Sequence, residues 1–258
     1  MDDAMREVCD SAAAKNVRLL PAAEETTTTP TVDRWSLNLQ RDYNKSANGS
    51  VVYNTYQAYL KGTSDTLARH LADAQKENYT LGIKLVRGAY LASEPRHLIW
   101  DTMDDTHAAY DALADAVLRR SYSAELKPLH GTDSAFPAVN VVLATHNAAS
   151  VRKAQALRSE QAQRGKEKVP LVYAQLQGMA DEVSCELIQA GKASASHEKI
   201  ADVPQVFKCT TWGSMTECLN YLLRRAAENK DAAGRTIESK NAMACELRRR
   251  FRGVFGLA

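Results

Sequence analysis

No stretch of this chain approaches 18 consecutive apolar residues, so no membrane-spanning helix is expected. Cysteine is sparse. Five are present in 258 residues (Cys9, Cys185, Cys209, Cys218 and Cys245), with no C-x-x-C pair and no Cys/His group at zinc spacing. That pattern predicts reduced thiols in an intracellular compartment and no metal site. An excess of one charge is also missing. Thirty-three Lys and Arg face 31 Asp and Glu, a net charge of +2, so a nucleic-acid partner is not expected. The opening residues, Met1 to Glu7, are acidic and lack an apolar segment, so neither a secretory signal nor an Arg-rich transit peptide is read there. No G-x-G-x-x-G occurs, which disfavours a doubly wound dinucleotide fold.

What is present centres on Gly82-Ile83-Lys84-Leu85-Val86-Arg87-Gly88-Ala89-Tyr90. An apolar run carries two cations, breaks at a glycine and closes on a tyrosine. It reads as a buried parallel strand that delivers charge to a site at its C-terminal end. Alternation puts Lys84 and Val86 on one side and Leu85 and Arg87 on the other. Gly88 would let a ligand approach the main chain closely.

The rest of the chain alternates short apolar runs with helix-length segments. Six strands are predicted: Val17–Ala23, Val51–Tyr56, Leu81–Val86, Val139–Thr145, Leu171–Gln175 and Gln205–Cys209. Helices are predicted over Thr66–Glu77, Thr106–Arg120, Ala149–Gln163, Asp181–Ala190 and Ser214–Asn229, with a last one over Glu238–Arg252. Thr26 to Pro30 reads as a loop and helix entry; Ser123–Pro137 and Gly191–Ile200 read as polar connections. Such alternation specifies an α/β protein with a parallel sheet and right-handed crossovers. Polar residues gather at the strand ends (Glu24-Glu25, Gln57, Arg87, Thr145-His146-Asn147, Gln175), which in a (β/α)8 barrel is the active-site face.

Two further groupings bear on chemistry. Arg224-Arg225, near the end of an amphipathic helix and followed by Glu228, could converge on one carboxylate, because the guanidinium fork matches carboxylate geometry. A solvated basic patch at a helix C-terminus is the alternative. Arg248-Arg249-Arg250 with Phe251 and Phe255 forms a basic amphipathic tail, for which peripheral membrane contact is the minor reading.

Together these motifs resemble the proline dehydrogenase family. The matching residues are Val51 to Leu60 (VVYNTYQAYL), Lys84 to Tyr90 with Glu94 and Arg96, Ala144 to Asn147 (ATHN), Gln175 to Met179 (QLQGM) and Tyr221 to Asn229 (YLLRRAAEN). The resemblance implies a (β/α)8 barrel that binds FAD and oxidises L-proline to 1-pyrroline-5-carboxylate by hydride transfer to the flavin. It implies a mitochondrial setting, a quinone as electron acceptor and peripheral contact with the inner membrane. Residue by residue, Arg224 and Arg225 would clamp the substrate carboxylate. Tyr90 and Leu176 would line the substrate site. Gln57, Lys84, Arg87, Gly88, Ala89, Thr145 and His146 would hold the flavin, with Lys84 beside its reactive edge.

This chain departs from the family pattern at Ala22, where an aspartate is usual, and at Cys209, where a tyrosine is usual; Glu24 keeps the family carboxylate. The six strands match the last six of the barrel. The expectation is therefore one incomplete barrel domain over residues 1–258, about six parallel strands with outer helices and a C-terminal helix. Three other readings stand beside the enzyme: a non-catalytic fragment or assembly partner, a related FAD oxidoreductase for another cyclic amino acid, and a folate-reductase-like flavin barrel.

Overall fold

In the computed structural model, residues 2–22, 24–45, 49–129, 135–196, 203–228 and 236–254 are described. Five parallel strands form one sheet in chain order: β1 (Asn54–Gln57), β2 (Leu81–Val86), β3 (Val139–Ala144), β4 (Leu171–Leu176) and β5 (Gln205–Cys209). Each neighbouring pair is joined through a helix: α3 (Thr63–Glu77), α4 (Met103–Arg119), α5 (Ala148–Gln163) and α6 (Asp181–Ser196). Helices α1 (Asp2–Ala14) and α2 (Thr29–Tyr43) precede β1, and α7 (Met215–Glu228) and α8 (Thr236–Val254) follow β5.

The expected first strand, Val17–Ala23, is not one. It lies parallel to the segment before β1 through a single bridge, Leu19 with Val52, and two hydrogen bonds, Leu19 N to Val51 O and Tyr53 N to Leu19 O. Pro21 supplies no N–H to continue that ladder, and Ala23 lies outside the described residues. The expected strand Val51–Tyr56 is shifted to Asn54–Gln57. Helix α6 runs through Ser196, past the predicted stop at Ala190. Ile200, Asn229 and Phe255 fall outside the described residues.

Helix boundaries follow local chemistry. Thr102 accepts from the Asp105 amide while the Asp105 carboxylate accepts from the Thr102 amide, a capping box that starts α4. The Asn147 side chain accepts from the Ser150 amide and starts α5. Asn78 and Arg120 end α3 and α4 in the left-handed region.

Register sorts the sheet into two faces. The row Tyr56, Leu85, Leu143, Tyr173 points to the helices, and these residues are 0–3% exposed. The adjacent rows, Thr55–Lys84–Val142–Val172–Gln205 and Ala144–Ala174–Phe207, point the opposite way. Towards β4 and β5 that second face opens: Val172, Ala174 and Leu176 are half-buried, and Phe207 is 56% exposed.

Asn44 ties the loop before β1 to the backbone. Asn44 accepts from the Val51 and Val52 amides and donates to the Val52 and Thr80 carbonyls. Gly82 lies so close to Val52 that a Cβ would come within 2.4 Å of its carbonyl oxygen. His70, on the buried face of α3, has its Nδ1 2.9 Å from the Tyr56 hydroxyl of β1, and burial lowers its pKa from 6.5 to about 4. The unfolded chain therefore binds this proton first as pH falls. The neutral imidazole's contribution is intact above pH 6.5 and is lost progressively towards pH 4, about 3 kcal/mol in all. His70→Gln is expected to flatten the acid limb of the stability curve, measured by urea unfolding between pH 4 and 7.5; an unchanged acid limb would assign it to other groups.

Candidate active site

The strand C-termini place most of the residues singled out by sequence at one end of the sheet. Gln57 ends β1. Its side chain is buried and donates through Nε2 to the Glu24 carbonyl at 2.8 Å. Its Oε1 is buried without a hydrogen-bond partner. Thr55, one row below, donates to the Pro21 carbonyl at 2.7 Å. The extended segment before α2 is thereby fastened along β1, which carries Glu24 to the strand ends.

Lys84 points to the open face of the sheet, in the same row as Thr55 and Val142. Burial lowers its ammonium pKa, and the neighbouring Cys209 thiol works in the opposite direction. A cation held partly out of water beside an open face is suited to stabilising negative charge on a ligand.

Arg87 turns to the other side, as strand alternation requires. Its Nε donates to His107 Nδ1 at 3.0 Å, one terminal nitrogen to Thr145 Oγ1 at 2.6 Å and the other to Ser150 Oγ at 2.8 Å. The Tyr110 ring lies beneath it at 4.2 Å. Thr145 also accepts from the Asn147 amide. His146 is bound through Nε2 to the Leu176 amide at 3.0 Å, which joins the ends of β3 and β4 and places the ring proton on Nδ1.

Gly88 has φ +148°, and a Cβ there would come within 2.3 Å of the Tyr59 ring. The close approach that this glycine permits in the structure is made by Tyr59. Gly88→Ala is expected to cost about 2–3 kcal/mol through backbone strain and displacement of that ring, read as a lower urea midpoint; an unchanged midpoint would show that the ring moves freely. Ala89 and Tyr90 follow, half-buried, with the Tyr90 hydroxyl 3.5 Å from a Glu24 carboxylate oxygen. The turn after them is closed by Glu94, which is buried and accepts from Thr26 N at 2.7 Å and Thr26 Oγ1 at 2.5 Å.

Arg224 and Arg225 lie near the end of α7. Arg224 is exposed, and Arg225 is half-buried with its guanidinium 5.4 Å from the centre of the Tyr221 ring. The Glu228 side chain, expected to steady one of them, lies outside the described residues. The structure thus joins Arg87 to Thr145, His146 to Leu176, Gln57 and Tyr90 to Glu24, and Lys84 to the vicinity of Cys209. Sequence reasoning did not select His107, Ser150, Asp111, Thr26 or Tyr59 for this end of the sheet. The Asn147 cap was the one local signal that aims Ser150 at the strand ends.

A family model described as proline dehydrogenase matches residues 4–238. Proline dehydrogenase 1, mitochondrial, of Arabidopsis thaliana is 33% identical over 98% of this chain and 47% of its own length. A hydroxyproline dehydrogenase of Bos taurus is 34% identical over 96% of this chain and 50% of its own length. The chain spans about half the length of these relatives. Among solved structures, proline utilization A from Bdellovibrio bacteriovorus, inactivated by N-propargylglycine, is similar with a TM-score of 0.66 at 18% identity. That match covers 88% of this chain and 21% of the other. A proline utilization A with proline bound in remote sites matches with a TM-score of 0.58 at 22% identity, over 87% of this chain and 21% of the other. These structural likenesses establish the shared α/β fold.

Proposed function

The chain belongs to the proline dehydrogenase family, and we propose that it carries the strand ends at which L-proline is oxidised to 1-pyrroline-5-carboxylate, as one barrel unit over residues 1–258. The observation that carries this reading is that Lys84 and Gln57 stand on the same face of neighbouring strands, one row apart. A partly desolvated cation on the open face of the sheet is followed, one row on along the neighbouring strand, by an acceptor, Gln57 Oε1, that is buried and has no hydrogen-bond partner among the described residues.

Those groups fit FAD. An orphaned buried acceptor suits a ring N–H or a ribityl hydroxyl, and a cation suits the negative charge that gathers on a reduced flavin ring. Gln57, Lys84, Arg87, Gly88, Ala89, Thr145 and His146 would hold the cofactor; FAD, when bound, supplies the hydride acceptor. The chain's own residues have three tasks. Lys84 keeps positive charge at the site, with no carboxylate paired to it among the described residues. His146 is fixed at the strand ends by the Leu176 amide, which donates to its Nε2. Arg224 and Arg225 would grip the substrate carboxylate, with Tyr90 and Leu176 lining the remainder. The same reading places the protein in the mitochondrion, with a quinone as electron acceptor and peripheral contact with the inner membrane.

The isolated protein is expected to be yellow, with non-covalent FAD released by denaturation, because the strand ends carry no histidyl or cysteinyl attachment motif. Anaerobic L-proline is expected to bleach the oxidised-flavin band. 4-Hydroxyproline serves as the comparison substrate, since Ala22 and Cys209 alter the lining. A folded protein that is colourless and cannot be reconstituted with FAD would overturn the assignment.

A further inference from the structure

Arg87 carries a guanidinium into a half-buried position where all its described hydrogen bonds go to neutral side chains. Burial works against that charge, and only the Tyr110 ring and the more distant Asp111 offset it. The geometry around it is over-determined. Ser150 donates its hydroxyl proton to the Asp111 carboxylate and so turns a lone pair to Arg87; Asp111 in turn is held by Lys153 Nζ at 2.6 Å. His107 can accept from Arg87 Nε only while Nδ1 is unprotonated. Thr145 completes the set, and the Tyr110 face fixes the plane. A guanidinium has five N–H donors. Three are used here, and one on each terminal nitrogen remains.

We propose that His107 and Ser150 are positioning residues: they lock the Arg87 fork at the end of β2 so that its two remaining N–H groups meet anionic oxygens of the bound cofactor. This rests on the reading that the strand ends hold FAD. It extends that site to α4, which supplies His107 from its second turn and Asp111 from its middle, and to the first turn of α5, which supplies Ser150. A clamp made of one imidazole acceptor also ties cofactor affinity to pH. Protonation of His107 removes the acceptor and sets a second cation against Arg87. The charged groups facing His107 are Arg87 from β2, Asp104 and Asp111 from its own helix and Lys153 from α5. Burial and the Arg87 charge both lower the His107 pKa, so the unprotonated form prevails at neutral pH.

The test is the FAD dissociation constant of the isolated protein after flavin removal and re-addition, read by flavin fluorescence quenching from pH 5.5 to 8, with urea midpoints alongside. His107→Ala and Ser150→Ala are each expected to weaken FAD binding about tenfold at neutral pH, beyond any change in urea midpoint. His107→Asn places an acceptor oxygen at the same remove from the backbone as Nδ1. It is expected to restore binding to within about twofold and to abolish the loss of affinity that the wild type shows on acidification. Wild-type affinity in both alanine variants would overturn the proposal, as would an asparagine variant as weak as the alanine one. A folded wild type that takes up no FAD would overturn the cofactor reading itself, and this proposal with it, before any variant is compared.

Discussion

Replacing Arg225 with Met is expected to raise the KM for the amino acid ten- to a hundredfold while leaving flavin content unchanged. The expectation follows from what a guanidinium does that no other side chain does. Its planar fork gives a carboxylate two parallel charge-assisted hydrogen bonds, and losing one such fork costs roughly 1.5–3 kcal/mol. That range corresponds to about tenfold to a hundredfold in affinity. Methionine keeps the length and the helix propensity of the side chain, so α7 itself should persist. Arg225→Lys should recover only part of the loss, because an ammonium keeps the charge without the fork. Steady-state kinetics give KM, and the absorbance of released flavin gives cofactor content. An equal fall in flavin content would show that Arg225 serves the cofactor or the fold, and an unchanged KM would remove it from the substrate site.

That prediction was legible in the sequence because α7 announces itself: Leu219, Leu222 and Leu223 recur at helical spacing beside the arginine pair. The β2, β3 and β4 strands were legible for a related reason. Parallel strands covered on the helix side by Ile83, Leu85, Val141, Leu143 and Tyr173 leave near-continuous apolar runs. Helix α1 was not legible. In its sequence, DDAMREVCDSAAA, Met5, Val8, Cys9 and Ala12 share one helical face, but the two that bury, Cys9 and Ala12, are small and make a faint apolar signal. Helix α2 was anticipated only as a helix entry at Pro30. Within it, Trp35, Leu37 and Leu39 alternate with polar residues as a strand would, while Ser36, Leu37, Leu39 and Gln40 are the residues that bury. Val17–Ala23 shows the opposite error, an apolar run that Pro21 keeps from extending its ladder.

The strand ends were legible in their residues more than in their contacts. Strand alternation alone separates Lys84 from Arg87, and the structure keeps that division. The partners of Arg87 lie 20, 58 and 63 residues away, on α4, directly after β3 and at the start of α5. No periodicity connects such positions. Gly88 carried a true signal of close approach, but sequence could not say what approaches, and the Tyr59 ring fills that space.

Residues 1–258 expressed alone are expected to self-associate at micromolar concentration. The open face of the sheet exposes Phe207, the loop after β5 exposes Trp212 almost completely at 96%, and α7 turns Met215, Leu219, Leu222 and Leu223 to solvent. Helix α8 adds Met243, Leu247 and Phe251 along one stripe. Burying a large apolar side chain fully is worth about 1.5–3 kcal/mol, so covering even half of this surface in a second copy would offset the cost of association. Among the described residues β5 has no strand on its far side, and an unpaired edge beside an exposed aromatic is a template for another chain. Lysine on the edge is the usual protection, and Lys208 is already committed to Asp181 and the Met179 carbonyl on the helix side. Sedimentation velocity should show species larger than 28.4 kDa. Phe207→Lys combined with Leu223→Glu should shift the distribution towards monomer with little change in the urea midpoint, because both residues lie outside the buried core. A wild type that sediments as one monomeric species and unfolds in a single cooperative transition would refute the expectation and would show that the open face and α7 are satisfied within one chain.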